Sequence, residues 1–335
     1  MTTADTNSLV DQTLPIIDVS PLYSARPGDS DFDAASAELY AALCEIGFAI
    51  IVGHGVASDV ISNMRLAVKT IFETPREVLA QDMVVKGNYR GFVPLGYFTP
   101  NSGIGAADQY EAWKLHNETS ASDPICSQCD LYGPNKWPKI SADIRTPVLA
   151  YWAALTRVSE GLIISLCWAM GVDENILLGA MANPLTNMTL LNYPPTPPQS
   201  DSWGIHPHKD FNLLTLLAHD PIGGLEVRNR HDQWLSAQCP ADGMVLNVGD
   251  MLELWSGGRL LSTPHRVFNS SGQPRQSFPY FCKPRFDVVV EPLLEPIRGF
   301  NRAALHVGRS AADIWYSNWP DTDSSDPSQV LGDYK

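Results

Sequence analysis

Basic clusters are missing from this 335-residue chain: its 23 Lys and Arg residues are dispersed among 37 Asp and Glu, for a formal net charge of −14. Nucleic acids and anionic membrane surfaces are engaged through grouped cations, so neither is an expected partner. Long apolar runs are scarce too. The longest, Val158 to Met170, is interrupted by Ser159, Glu160 and Ser165 and falls short of the ~20 residues a spanning helix needs. The opening MTTADTNSLVDQ has neither the basic segment nor the apolar core of a secretion signal, and an intracellular, cytoplasmic protein is expected. No disulfide framework is visible: six cysteines are scattered at 44, 126, 129, 167, 239 and 282. Cys126 and Cys129 make a C-x-x-C, yet no second pair or matching histidines follow, so they read as loop residues rather than a zinc site.

What is present suits a folded chain with a sizeable core, since 44% of residues are hydrophobic and only 18% charged. LPIIDVSPL (Leu14 to Leu22) is a short apolar run closed by Pro21, a first strand and its exit. Helical spacing follows over Asp33 to Glu45, with Gly47 as its stop, then a buried strand FAIIV (Phe48 to Val52) and a second helix from Ser58 to near Pro75. Val85 to Pro138 is rich in Gly, Asn, Pro and Ser and reads as loops with short strands. From Ser141 to Met170 apolar residues recur at 144, 148, 151, 155, 158, 162 and 166, the spacing of a long core-facing helix ended by Gly171.

After Leu185 the pattern changes to short β-like runs separated by turn residues: MTLLNY, LLTLL, GGLEV, QWLSA, MVLNVG and SFPYF. That succession predicts an antiparallel barrel or sandwich rather than βαβ units. Four regions result: a helix-rich part over 1–138, the long helix and its connector over 139–182, a β-barrel region over 183–290, and a C-terminal helix with a mobile Asp/Ser-rich tail over 291–335. The fold class is α+β.

SWGIHPHKDFNLLTLL, from Ser202 to Leu217, concentrates ligand-type groups. In an extended strand His206, His208 and Asp210 project from one face. Two imidazoles and a carboxylate on one face of an iron(II) leave positions open for a co-substrate and dioxygen, but a partner from elsewhere is needed. Downstream histidines are His219 and His231, both in turn-like stretches, His306, beyond the last predicted strand, and His265, in the β-rich GRLLSTPHRVFNSSG. His265 is the natural partner. Ten residues on, Arg275 and Ser277 alternate on a predicted strand, a guanidinium and a hydroxyl suited to gripping the far end of a dicarboxylic acid.

With these motifs the chain resembles the 2-oxoglutarate- and iron(II)-dependent dioxygenase superfamily, in the branch containing isopenicillin N synthase and the plant flavonoid and gibberellin oxidases. The similarity runs over roughly residues 14 to 290, through LPIIDVSPL, EIGFAIIVGHGV, RGFVPLG, YGPNKWP, NYPP, HKDFNLLTLL, GGLEV, VLNVGDMLELWSGGRLLSTPHRV and RQSFPYF. It implies a distorted double-stranded β-helix (jelly-roll) flanked by helices. It also implies His208, Asp210 and His265 as the iron ligands, leaving His206 outside the triad as a candidate pocket-rim residue. Arg275 and Ser277 would grip 2-oxoglutarate, with Tyr193 adding a hydroxyl contact. Fe(II) is then the cofactor, with 2-oxoglutarate and O2 as co-substrates, and the reaction releases succinate and CO2 as a small organic molecule is hydroxylated, desaturated or rearranged, with specialised-metabolite biosynthesis the expected setting. A reactive oxidant of this kind needs shielding from water, which an apolar barrel lined by Phe211, Leu214, Leu216 and Phe281 would provide.

The resemblance further makes Arg90 a candidate substrate contact and Trp113 a candidate pocket residue, while His54 and Gly55 take structural roles. Many bacterial relatives carry arginine four residues before the tyrosine of YPP; here Thr189 stands there, so a substrate carboxylate is not expected at that place. Rival readings are an iron oxidase of the same fold that does not use 2-oxoglutarate, a non-catalytic small-molecule sensor on the same barrel, and a zinc hydrolase, which would leave Arg275 and Ser277 without a role. The oligomeric state and the substrate's identity are not readable from the sequence.

Overall fold

The computed structural model describes residues 9–10, 13–98, 107–195, 203–317 and 319. The Asp/Ser-rich stretch 320–329, expected as a mobile tail, lies outside the described residues. The first half comprises β1 (Leu9–Val10), β2 (Ile16–Asp18), α1 (Pro21–Ser24), α2 (Ser30–Glu45), β3 (Phe48–Val52), α3 (Ser58–Glu73), α4 (Arg76–Leu79), β4 (Gly91–Val93), β5 (Glu111–His116), α5 (Arg145–Met170) and α6 (Glu174–Ala180). The second half is mostly strands: β6 (Asn187–Tyr193), β7 (Ile205–His208), β8 (Leu214–Ala218), β9 (Leu225–Arg228), β10 (Trp234–Ser236) and β11 (Met244–Val248). After α7 (Asp250–Trp255) come β12 (His265–Val267), β13 (Arg275–Ser277), β14 (Tyr280–Cys282), β15 (Val289–Val290), β16 (Leu305–His306) and α8 (Val307–Ser317).

Gly47 makes the α2–β3 junction possible. Its φ is +72°, and a Cβ there would lie 1.9 Å from the Leu261 carbonyl oxygen, so no other residue fits so close an approach. The long helix begins at Arg145, four residues later than the apolar spacing alone predicts, because the Asp143 carboxylate accepts the Thr146 N–H at 3.1 Å and sets its first turn there. Pro147 falls within that turn, where its missing N–H costs no helical bond, and Gly171 closes the helix in the left-handed region (φ +67°). By length and composition α5 matches a membrane-spanning helix, which apolar-run counting did not expect. In this fold its apolar residues Val148, Tyr151, Leu155, Leu162 and Leu166 are buried against the core.

A large sheet runs in the order β2-β3-β11-β8-β14-β6-β5-β4, with β13 also pairing β6, and a smaller one in the order β1-β10-β9-β12-β7. Successive side chains alternate between faces, and the alternation divides the core in two. Ala49, Ile51, Leu190, Leu214, Leu216 and Leu246 face α2, α3 and α5, whereas Phe48, Ile50, Leu191, Tyr193 and Val245 face the small sheet's Leu225, Val227 and Val267. The two facing sheets with helices on one outer side form the expected α+β, distorted double-stranded β-helix. Leu214 and Leu216 therefore do not line the barrel interior as expected: they sit on the helix side, and Thr215 between them faces inward.

Candidate active site

His208 ends β7 and His265 begins β12, and the two are direct cross-strand partners with ring centroids 4.3 Å apart. The strand stops at His208, so Asp210 is not the third member of an extended row; it comes round on the turn that follows. That turn is pinned by α7, whose first N–H groups, on Asp250 and Met251, donate to the carbonyls of Asp210 and Asn212 at 2.8 and 3.0 Å. The Asp210 Oδ2 accepts hydrogen bonds from Thr215 Oγ1 at 2.5 Å and Asn247 Nδ2 at 2.8 Å. Its Oδ1 is left facing the Nε2 atoms of His208 and His265, at 3.9 and 3.8 Å.

Each imidazole is set by a carbonyl. His208 Nδ1 donates to the His206 carbonyl at 2.8 Å, and His265 Nδ1 donates to that of Thr263 at 3.2 Å. A carbonyl can only accept, so Nδ1 carries the proton and Nε2 presents its lone pair inward. Burial, and then the neighbouring His265, lower the His208 pKa and favour the neutral ring. Burial works against the Asp210 carboxylate, but the two imidazoles and the Thr215 and Asn247 donors outweigh it and hold the pKa below its ordinary value. The three inward atoms lie within 4.8 Å of one another. Two neutral nitrogens and one carboxylate on one side of a common point fit an iron(II) with open positions on the other. Thr215 and Asn247 escaped the sequence reading, although each is a lone polar residue in an apolar strand.

Arg275, Ser277 and Tyr193 also meet. Arg275 on β13 is the register partner of Tyr193 on β6, with its guanidinium 4.9 Å from the ring centroid. Its Nη1 points to Ser277 Oγ at 3.5 Å, while Nε donates to the Gly223 carbonyl at 2.6 Å and lies 2.7 Å from Asp220 Oδ2. The Tyr193 ring also packs on Gly204, where a Cβ would come within 2.8 Å of it. Gly204 immediately precedes β7, so the strand that ends in His208 also walls in the arginine pocket.

Family models match residues 185–284 as the 2OG-Fe(II) oxygenase superfamily and residues 14–140 as the non-haem dioxygenase in morphine synthesis N-terminal family. The chain is 32% identical over 296 residues to homoarginine-6-hydroxylase 2-ODD-C23.1 of Arabidopsis thaliana, spanning 84% of this chain and 88% of that one. It is 33% identical over 276 residues to the 2-oxoglutarate-dependent dioxygenase caaD of Aspergillus niger, spanning 80% and 83%. The chain belongs to the 2OG-Fe(II) oxygenase superfamily. The oxygenase is a 2-oxoglutarate-dependent non-haem iron dioxygenase, with Fe(II) as its metal and 2-oxoglutarate and O2 as co-substrates. It shares its fold with a crystallised 2OG-Fe(II) oxygenase family protein from Caulobacter crescentus, at a TM-score of 0.78, 24% identity and coverage of 91% of this chain and 99% of that one.

Beside the triad the oxygenase has a cavity of about 440 Å³ bordered by His206, His208, Asp210, Phe211 and Phe281. His206 is neither a surface residue nor a third imidazole ligand. It is 2% exposed, and Asp108 Oδ1 accepts both its backbone N–H, at 2.9 Å, and its ring Nδ1–H, at 2.7 Å. Two expected substrate residues point elsewhere. Arg90 donates to the Leu131 carbonyl at 2.6 Å and borders a separate small cavity with Cys129 and Lys86. Trp113 lies on the helix-facing side of β5, fully buried, its indole N–H on the Lys136 carbonyl at 3.1 Å. The pleat turns its neighbours Lys114 and His116 into the cavity instead. His54 bridges the Asp242 carbonyl and the Val56 N–H, each at 3.1 Å, far from the triad in a purely structural contact.

Proposed function

We propose that His208, Asp210 and His265 hold the iron, that Arg275, Ser277 and Tyr193 hold the far carboxylate of 2-oxoglutarate, and that a small organic substrate occupies the adjoining cavity. The convergence of His208 Nε2, Asp210 Oδ1 and His265 Nε2 within 4.8 Å carries this reading. Bound iron supplies dioxygen activation coupled to oxidative decarboxylation of 2-oxoglutarate to succinate and CO2. The chain's own part is geometry and access. Thr215 and Asn247 fix the Asp210 rotamer, the carbonyls of His206 and Thr263 fix the imidazole tautomers, and Asp108 anchors the strand that carries His208. Phe211 and Phe281 keep water from the side where substrate lies.

Hydroxylation in specialised metabolism is the reading we favour for the overall reaction, supported by the resemblance to a homoarginine-6-hydroxylase. An intracellular, cytoplasmic setting belongs to the same reading and accords with six free cysteines. Two measurements test the assignment: an anaerobic absorption band on adding Fe(II) and 2-oxoglutarate, and succinate release in air. Wild-type protein giving neither would overturn it.

A further inference from the structure

Two lysines enter the cavity that the triad borders, from the two sides of one strand. Lys114 on β5 is the register partner of Thr189 on β6, and its Nζ donates to Thr189 Oγ1 at 3.2 Å. Lys283 directly follows β14, which pairs β6 on its other edge through Phe281 and Asn187, and its Nζ donates to Asn187 Oδ1 at 3.0 Å. Asn187 and Thr189 are two apart and face the same way, so the ammonium groups straddle one small polar patch. His116, 9% exposed and on the same face of β5 as Lys114, borders the cavity with no side-chain partner for either ring nitrogen.

No acid among the described residues forms an ion pair with either lysine. The carboxylates on the cavity wall are otherwise engaged: Asp108 with His206, Asp250 with Arg302 at 3.4 Å, and Asp210 with the triad. Lys209, also on the wall, has Glu253 at 3.9 Å. Two half-buried cations whose hydrogen bonds go to neutral oxygens, with the Tyr89 ring 5.1 Å from Lys114 and with Asp108 and Asp210 acting on them only from beyond ion-pair distance, are costly to keep unless a closer counter-charge arrives. Burial, and for Lys114 the charge of Lys283, depress the ammonium pKa values to about 7 for Lys114 and about 8 for Lys283.

We propose that the oxygenase acts on a carboxylate-bearing substrate, whose carboxylate is held between Lys114 and Lys283 while the rest of the molecule reaches toward His208 and Asp210 across Phe211 and Phe281. This rests on the function proposed above and names its substrate class. Thr189 carries no charge, but the neighbouring strand supplies one at the same place. A carboxylate bridging the ammonium groups replaces two charge–dipole contacts with two charge-assisted hydrogen bonds, and it fixes one end of the substrate so that a defined carbon faces the metal.

The test uses the anaerobic Fe(II)–2-oxoglutarate complex of the full chain. 3-Phenylpropanoate and octanoate, each beside its methyl ester and the amine of equal length, are titrated by the change in the absorption band and by the rise in Tm. The acids are expected to bind at least tenfold tighter than the esters or amines. Lys114→Met and Lys283→Met should cut that preference below threefold, Lys114→Arg should keep it, and both Met variants should raise the Tm of the ligand-free protein by relieving the uncompensated charge. Absence of any acid preference in the wild type, its survival in both Met variants, or a fall in their ligand-free Tm overturns the proposal. So does a loss of 2-oxoglutarate affinity in the Met variants that equals the loss for acids, which would assign the lysines to the co-substrate. If the wild type shows no band with 2-oxoglutarate, the function proposed above fails; a band without acid preference defeats only the substrate class.

Discussion

Thr215 donates its hydroxyl proton to Asp210 Oδ2 at 2.5 Å, from the strand into which the turn carrying the aspartate leads. Thr215 is itself held by Asn212 Nδ2 at 2.8 Å and stands in register with Asn247, the second donor to the same oxygen. Thr215→Val keeps the shape and removes the donor. Iron(II) affinity should fall roughly 10- to 100-fold, the usual cost of losing a partner behind a metal ligand, as read by anaerobic iron titration. An unchanged affinity would mean that the bond to Asn247 suffices.

His208→Ala and Asp210→Ala should each abolish stoichiometric iron binding and turnover. His206→Ala is the contrasting variant, because the carbonyl that orients His208 survives the substitution while Asp108 loses its imidazole partner and keeps only the backbone N–H. It should retain iron and lose on the order of 1 to 3 kcal/mol of stability because the buried carboxylate has lost its ring donor, and adding Asp108→Asn should restore part of that loss. Metal analysis together with denaturant unfolding separates the effects. Loss of iron in His206→Ala would show that the triad has been misassigned.

Arg275→Ala should raise the KM for 2-oxoglutarate roughly 10- to 100-fold, the equivalent of about 1.5 to 3 kcal/mol for a charge-assisted contact, with iron binding retained. Gly204→Ala should do the same more mildly, since its methyl group would displace the Tyr193 ring that packs beside the guanidinium. Steady-state kinetics with succinate as the readout decides both, and a KM unaltered in Arg275→Ala would count against the clamp.

The pH dependence of substrate binding follows from Lys114. Burial, and then Lys283, lower its pKa to about 7, against the opposing pull of Asp108; Lys283, Asp108, His116 and the Tyr89 ring, 5.1 Å away, are the groups that face it. The ammonium is the form that binds an anion, so it is present below that value and lost above it. The KM for an acid substrate should therefore rise as pH goes from 7 to 9, by up to about tenfold per unit, with little change for its methyl ester. Lys114→Arg, whose guanidinium stays charged throughout, should remove the change near pH 7 and leave only the one near pH 8 that Lys283 contributes.

Much of the fold was legible because local periodicity encodes it. FAIIV is a strand over the residues predicted, α3 starts at Ser58, and Gly171 closes the long helix. The candidate ligands were legible because few residue types bind iron and their spacing is distinctive. Short elements were harder: α7 spans six residues, Asp250–Trp255, too few to show a helical period, yet its first amide groups hold the turn of Asp210 in place. Arg90 and Trp113 show the other limit. Both stand in segments that border the site, but Trp113 falls on the outer face of its strand and Arg90, just before β4, turns to the Leu131 carbonyl, and segment-level similarity does not say which way a side chain looks.

By itself the sequence determined the chemistry: which side chains can bind iron, which can grip a dicarboxylate, and where helices give way to strands. Those properties belong to residue types and to spacings within one segment. Only the tertiary structure decided what meets what. Strand pairing sets Thr189 of β6 between Lys114 and Lys283, turns Trp113 away from the cavity, gives His206 to Asp108, and brings Thr215 and Asn247 onto one carboxylate oxygen. Apart from the short step from Asp210 to Thr215, those contacts depend on register between segments remote in the chain, and a shift of one residue would exchange the two faces of a strand.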